Sequence, residues 1–355
     1  MDALERWRQG WQGTGRVVVT GRFGVGDETR AVLEEAGLDI VLTQLRDEQG
    51  ALAEAAVDAE VLISGGAPMD ADVFAGLKRA RFVLRPYVGY DDIDVDAATE
   101  HGILVANVPD TFVQEVAEHT MALLLAASRR LPQMDRFVRD GRWAAGEQAR
   151  VVARTIRRLS TMTLGLVGFG TIGRLVAQRA APFGFHMLAY DPYVPPETCT
   201  EYGVSPVSLD ELLRESDIVS LHVFLNADTR HLIDAARLAQ MKSTAILVNT
   251  SRGPVVEEPA LIDALQSGRL AGAALDVFEK EPLDPASPLI QMDNVILAPH
   301  LASYSEEGDS LHRRRVGQLA LQAASGGLPE RKVIINKDLY DRLATLPELA
   351  GVKRY

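Results

Sequence analysis

Apolar residues recur in short unbroken blocks over the first third of the chain. RVVVT at 16–20 is the first; LDIVL at 38–42, AEVLIS at 59–64, RFVLRPY at 81–87 and GILVANVP at 102–109 follow. Blocks of this length, rich in Val and Ile, read as strands buried on both faces. Stretches with helical spacing lie between them, at 27–36 and at 71–80 (ADVFAGLKRA). Strands alternating with helices predict a mostly parallel sheet. Pro109 breaks the series, and a long helix is predicted from about 112 to 131.

The pattern then restarts. TMTLGLVGFGTIGRLVAQRAAPFG at 161–184 opens a second series, with strands predicted at 186–190, 217–221, 245–249, 272–277 and 294–298. Helical spacing separates most of them. One helix is predicted over about 304–325, followed by a tail carrying the short apolar KVIIN at 332–336. A tail too small for a core of its own must pack on something already made, and the N-terminal unit is the expected place. No low-complexity segment or solenoid period interrupts the chain.

Length and composition fit this division. At 355 residues the chain exceeds the roughly 150 residues of one ordinary domain, which suggests two. A 47% hydrophobic and 24% charged composition is that of a folded globular protein. The net charge of −12 disfavours broad nucleic-acid or anionic-membrane binding, while leaving room for a local basic pocket. A single cysteine, Cys199, excludes an internal disulfide framework and fits a reducing compartment. The N-terminal MDALERWRQGWQGTG contains acids and no apolar segment, unlike a signal peptide, and no apolar run reaches membrane-spanning length. A cytoplasmic location is the expectation, and no metal-ligand set is assigned.

Two glycine-rich turns compete as ligand sites. Gly168-Phe-Gly-Thr-Ile-Gly173 follows the strand TLGLV and leads into an apolar helix. Its glycines permit a tight turn and close backbone approach, so a pyrophosphate can sit on the helix N-terminus beside Thr171 and Ile172. The next strand, HMLAYD, ends in Asp191, 18 residues beyond Gly173. An acid there accepts hydrogen bonds from both adenosine ribose hydroxyls and repels a 2′-phosphate, which favours NAD over NADP. The bland alternative is a simple strand-to-helix turn. Gly21-Arg-Phe-Gly-Val-Gly26 has different spacing and no acid at the end of the next strand, so it reads as a plain βα turn. Gly65-Gly66 reads as a turn as well.

The acid–base candidates fall at strand ends. Arg252 follows AILVNTS, Asp276 and Glu281 follow GAALDV, and His300 follows NVILAP. Ligands in open α/β sheets bind outside such ends, so these four can converge beside the dinucleotide. A carbonyl–alcohol couple served by a nicotinamide must also move a proton, which a histidine does near neutral pH. A carboxylate orients the ring, and an arginine fork holds a substrate carboxylate. Taken singly, Glu281 also reads as a solvated loop acid, Arg252 as a capping or surface residue, and His300 as a satisfied loop histidine. His222 ends a strand on the cofactor side and can line the dinucleotide site. His119 reads as a core or interface residue, and His101, His186, His231 and His312 as surface or structural ones.

The segments GLVGFGTIG, YDPY, NTSRGPVV, ALDVFEKEPL and APH occur in an order and at intervals that resemble the D-isomer-specific 2-hydroxyacid dehydrogenases. YVGYDDIDVDAATEHGILVANVPD and EVAEHTMALLLAASRRL extend the likeness to roughly residues 16–325. The resemblance implies that Arg252 binds the substrate carboxylate and keto oxygen. It implies that Glu281 supports His300 as acid–base, and that Asp276 contacts the nicotinamide end. His222, Thr229 and Thr250 are expected with the cofactor, and Tyr87, Val88 and Gly89 with the substrate. The fold implied is two doubly wound parallel-sheet domains, with a Rossmann NAD-binding domain (111–303) inserted into a flavodoxin-like substrate domain (1–110 plus 304–355). A homodimer through the NAD-binding domain is also implied, with Arg142 and Trp143 near an inter-subunit arm. The expected activity is interconversion of a small 2-oxo acid and its D-2-hydroxy acid. The alternative is an NAD(H)-sensing, corepressor-like binding protein with vestigial activity.

Several positions depart from the family pattern. Tyr87 stands where glycine usually precedes Val88-Gly89. Phe224 and Asn226 replace a proline and a threonine in the cofactor loop. Ala302-Ser303-Tyr304 replaces a glycine pair after His300. Arg313-Arg314-Arg315 reads as a solvated helix face. No regulatory domain is seen, which argues against a feedback-controlled phosphoglycerate enzyme.

Overall fold

The computed structural model describes residues 3–8, 15–21, 26–42, 54, 56–66 and 68–355. The centre of the Gly21–Gly26 turn lies outside them. The chain forms two compact units, Met1–Phe112 with Ser305–Tyr355, and Val113–Tyr304.

The first unit is built on five parallel strands: β1 (Arg16–Gly21), β2 (Asp39–Leu42), β3 (Val61–Gly65), β4 (Phe82–Leu84) and β5 (Leu104–Ala106), in the order β2-β1-β3-β4-β5. The unbroken apolar blocks now have a cause. Val17, Val19, Val61, Ile63, Phe82, Leu84, Leu104 and Ala106 line one buried face. The residues between them, Val18, Leu62, Val83 and Val105, line the other. With both faces covered, period-two polarity disappears. The helix Glu306–Ala324 buries Val316, Leu319, Ala320 and Ala323 in the first of these cores. The KVIIN tail extends the sheet edge, with Asn107 N–H donating to Val333 O and Ile335 N–H to Val105 O. Asn336 completes this edge by accepting Val105 N–H and donating to Ile103 O.

Strand 81–87 stops early, at Leu84. Arg85 still donates to Ala106 O, but Pro86 has no N–H to continue the ladder. The chain therefore turns at Tyr87–Gly89, outside the C-terminal end of β4.

The second unit has seven parallel strands: β6 (Thr163–Val167), β7 (His186–Tyr190), β8 (Ser205–Pro206), β9 (Ile218–Leu221), β10 (Ile246–Asn249), β11 (Gly272–Leu275) and β12 (Val295–Leu297). Their order is β12-β11-β10-β9-β6-β7-β8. The winding direction reverses between β6 and β9, the Rossmann arrangement, and ligands bind in the crevice such a reversal opens. Both units are thus doubly wound. The helix predicted over about 112–131 is Val113–Arg129, and a second helix, Leu131–Arg139, follows it. Pro132 cannot donate to the residue one turn back, and Arg130 takes up a left-handed φ of 53° to start the second helix. Among the described residues no helix is long and apolar enough to cross a membrane.

Candidate active site

The glycine turn sits on the reversal. Gly168 has a φ of 94°, and a Cβ there would lie 2.5 Å from His222 O, so only glycine fits between β6 and β9. A Cβ on Gly173 would meet Gly168 O at 2.4 Å, which lets the helix Thr171–Ala180 pack tightly against the strand. A Cβ on Gly170 would meet nothing within 4 Å. The middle glycine therefore borders open space at an N-terminus that no side chain caps, with Thr171 and Ile172 in its first turn. Two glycines forced by contact and one facing space are what a pyrophosphate cradle requires. The residues present fit NAD.

Asp191 lies just past β7, in reach of that turn. Its Oδ2 accepts Phe169 N–H at 2.8 Å and its Oδ1 accepts Tyr193 N–H at 2.9 Å. The carboxylate is thus held in place beside the cradle. Replacing it in Asp191→Asn removes the charge and keeps one of the two acceptor oxygens, so the ratio of NADPH to NADH affinity should rise about ten-fold or more. Calorimetric dissociation constants for both cofactors check this, and an unchanged ratio contradicts it.

The other cofactor candidates surround the same crevice. His222 follows β9, and its Nε2 lies 3.0 Å from Ser220 Oγ. Burial pushes its pKa down to about 4, so the ring is neutral at physiological pH. The departing cofactor loop closes on itself. Asn226 Oδ1 accepts Asp228 and Thr229 N–H, while Thr229 Oγ donates to Phe224 O. Phe224 is 66% exposed. Thr250 is buried, its hydroxyl 2.7 Å from that of Thr120.

The two residues expected to act as an acid–base pair are in direct contact. His300 Nδ1 lies 2.6 Å from Glu281 Oε2. Burial opposes ionisation of Glu281, but the bonds from His300 and from Phe278 N–H, with the charges of His300 and Arg252, hold its pKa below the ordinary carboxylate range. An ionised Glu281 can only accept, so Nδ1 carries the proton of this contact. The His300 ring is 46% exposed, open to a reactant.

Two devices aim these groups. His300 adopts a φ of 56°, a left-handed conformation that costs about 1 kcal/mol or more. Asp276 holds it there: its carbonyl accepts His300 N–H, and its two carboxylate oxygens accept Leu301 and Ala302 N–H. Its side chain is fully buried, engaged with the turn after His300 and 3.5 Å from His119 Nε2, and serves as a brace.

The second device is Gly253. A Cβ there would lie 1.8 Å from Phe278 O, so the turn after Arg252 packs directly on the backbone leading to Glu281. Asn249 fixes the same turn, donating to Arg252 O and accepting Ser251 N–H. Gly253→Ala should destabilise the protein by about 2–3 kcal/mol, by forced displacement of packed backbone. Urea unfolding measures it, and an unshifted midpoint would show that the turn tolerates the methyl group.

Sequence reading missed a further support. His231, assigned a surface or structural place, pairs through Nε2 with Glu279 Oε1 at 2.6 Å. Glu279 and Glu258 each accept the other's backbone N–H, tying the segment before Glu281 to the helix Glu258–Gln266. Nothing in the local spacing announces a pairing across 48 residues. In the first unit, Tyr87, Val88 and Gly89 form the turn after β4, and Arg85 beneath them is buried and bonded to Ser64 O and Asp92. Among the described residues no cluster of three or more His, Cys, Asp or Glu side chains is arranged to hold a metal ion.

Comparison with known proteins shows the family. The family model described as D-isomer specific 2-hydroxyacid dehydrogenase, NAD binding domain, matches residues 121–302. A glyoxylate reductase of Korarchaeum cryptofilum is 45% identical over 75% of this chain and 80% of its own length. A D-3-phosphoglycerate dehydrogenase of Methanocaldococcus jannaschii is 40% identical over 85% of this chain, which spans only 56% of that relative. The structure of D-lactate dehydrogenase from Aquifex aeolicus, complexed with NAD and lactic acid, superposes with a TM-score of 0.77 at 31% identity, covering 87% of this chain and 96% of the other. Its cofactor is NAD, its chemistry is the oxidation and reduction of 2-hydroxy and 2-oxo acids, and the chain belongs to the D-isomer-specific 2-hydroxyacid dehydrogenase family.

Proposed function

We propose that this protein reduces a small 2-oxo acid to the D-2-hydroxy acid, with His300 as proton donor, Glu281 as its partner and Arg252 as the carboxylate anchor. The observation that carries the reading is the 2.6 Å His300–Glu281 contact within the same unit as the glycine cradle. The cofactor, when bound, supplies the hydride, and Gly168, Gly170, Thr171, Ile172, Gly173 and Asp191 are the residues proposed to hold it. His300 Nε2–H gives its proton to the oxygen that becomes the hydroxyl. The charge left on Glu281 stabilises the protonated ring before that transfer. Arg252 directs its guanidinium at the substrate carboxylate, where two parallel hydrogen bonds fix orientation. Val88 and Gly89 are proposed as further carboxylate contacts from the first unit, with Tyr87 limiting the side chain that fits. In the reverse direction His300 accepts the hydroxyl proton.

The relative named glyoxylate reductase supports the smallest 2-oxo acids as first candidates. Glyoxylate, hydroxypyruvate, pyruvate, phosphohydroxypyruvate and bulkier 2-oxo acids should be tested with NADH by loss of its absorbance. At least one small acid should turn over. Tight NADH binding with no turnover of any would replace this reading with a dinucleotide-sensing binding protein. We infer further that the chain forms a homodimer through the segment after Arg130, where Leu131, Val138, Trp143 and Val151 are exposed, Trp143 to 65%. A monomer in light scattering would remove that inference.

A further inference from the structure

The turn Pro86–Gly89 is held by three consecutive carbonyls. Pro86 O is 2.7 Å from His312 Nε2, Tyr87 O accepts Val108 N–H at 3.3 Å, and Val88 O accepts Asn107 Nδ2 at 2.6 Å. These peptides are trans, so each carbonyl points opposite to the N–H of the next residue. Fixing the three carbonyls therefore also fixes the directions of the N–H groups of Tyr87, Val88 and Gly89. Among the described residues neither Val88 nor Gly89 N–H meets a backbone carbonyl. Successive N–H groups presented together form an anion-binding concavity.

His312 is the member of this set that is not local. It lies on the helix Glu306–Ala324, more than two hundred residues away in sequence, and is 2% exposed. A carbonyl can only accept, so Nε2 must carry the proton, and the other ring nitrogen, 2.8 Å from Thr111 Oγ, accepts from that hydroxyl. The ring packs on Phe112 with centroids 4.4 Å apart. Both ring nitrogens and one ring face are thus engaged, and the imidazole has a single orientation. Burial lowers its pKa, which keeps the ring neutral and this hydrogen-bond polarity intact.

We infer that His312 is a positioning residue for substrate: by holding Pro86 O it fixes the Pro86–Tyr87 peptide at the head of the turn, from which the Val88 and Gly89 N–H groups are presented to the 2-oxo acid carboxylate. The inference rests on the proposed reading of Val88 and Gly89. It touches no reacting atom, so its removal acts on carboxylate binding and leaves cofactor binding intact. Sequence gave no sign of this role, since a histidine among RRR and leucines on a helix reads as structural.

The test compares His312→Met, which keeps volume and loses the donor, with His312→Gln, whose amide N–H reaches the same place. In the Met variant KM for the best 2-oxo acid should rise about ten-fold, the loss of one buried hydrogen bond, while kcat and the NADH dissociation constant stay within about three-fold. The Gln variant should return KM to within about two-fold of the parent, since it restores the same bond. Amide exchange at Val108, whose partner is Tyr87 O, should accelerate in the Met variant and recover in the Gln variant. An unchanged KM, a uniform loss of kcat and cofactor affinity, or unaltered Val108 exchange would each overturn the inference. Failure of the underlying reading shows separately, as a parent protein that turns over no 2-oxo acid.

Discussion

His300→Ala should lower kcat for 2-oxo acid reduction about 10³-fold while leaving the NADH dissociation constant within about two-fold. The ring's side-chain partner is Glu281, and its exposed edge is where a reacting oxygen would receive a proton. Without it the oxygen must draw a proton from water, whose acidity is far too low near neutral pH. Backbone effects need a control, because the φ of 56° at this position strains alanine. Asparagine tolerates left-handed conformation better, so His300→Asn should fold as the parent does and show the same loss of turnover. Single-turnover kinetics with saturating NADH measures both. A variant that retained parental kcat would remove His300 from the chemistry.

Arg252→Gln should reduce kcat/KM about 10³-fold, equivalent to about 4 kcal/mol of lost charge-assisted, two-point binding. Lysine should recover little, since a point charge cannot reproduce a planar fork. The arginine also acts on Glu281, whose carboxylate it helps to keep ionised. Its removal should raise the Glu281 pKa, so the acid side of the rate profile shifts to higher pH. That shift separates Arg252 from a residue that binds substrate at a distance from the acid–base pair. Unchanged KM and an unmoved acid limb would place the substrate carboxylate elsewhere.

Much of this was legible from spacing. The apolar blocks marked β1 to β5 because two-sided burial makes a strand apolar throughout. Gly168, Gly170 and Gly173 could be read because each glycine answers a separate demand, and structure distributes those demands as turn, open space and close packing. What spacing could not convey was pairing across the chain. Asp276 sits at a strand end, and its two oxygens reach Leu301 and Ala302, 25 and 26 residues further on. His231 finds Glu279, and His312 finds Pro86, through folds that bring distant segments together. The helix end near residue 130 was legible, while the helix Leu131–Arg139 that follows it was not expected.

The distinction between a working reductase and a dinucleotide sensor with the same residues turns on whether hydride reaches the keto carbon. NADH carrying deuterium at the transferred C4 position, incubated with the best 2-oxo acid larger than glyoxylate, whose product has a stereocentre at C2, decides it by mass spectrometry and chiral separation of the product. The account predicts one deuterium at C2 of the D-2-hydroxy acid. An unlabelled product, an L product, or bound NADH with no product would contradict it.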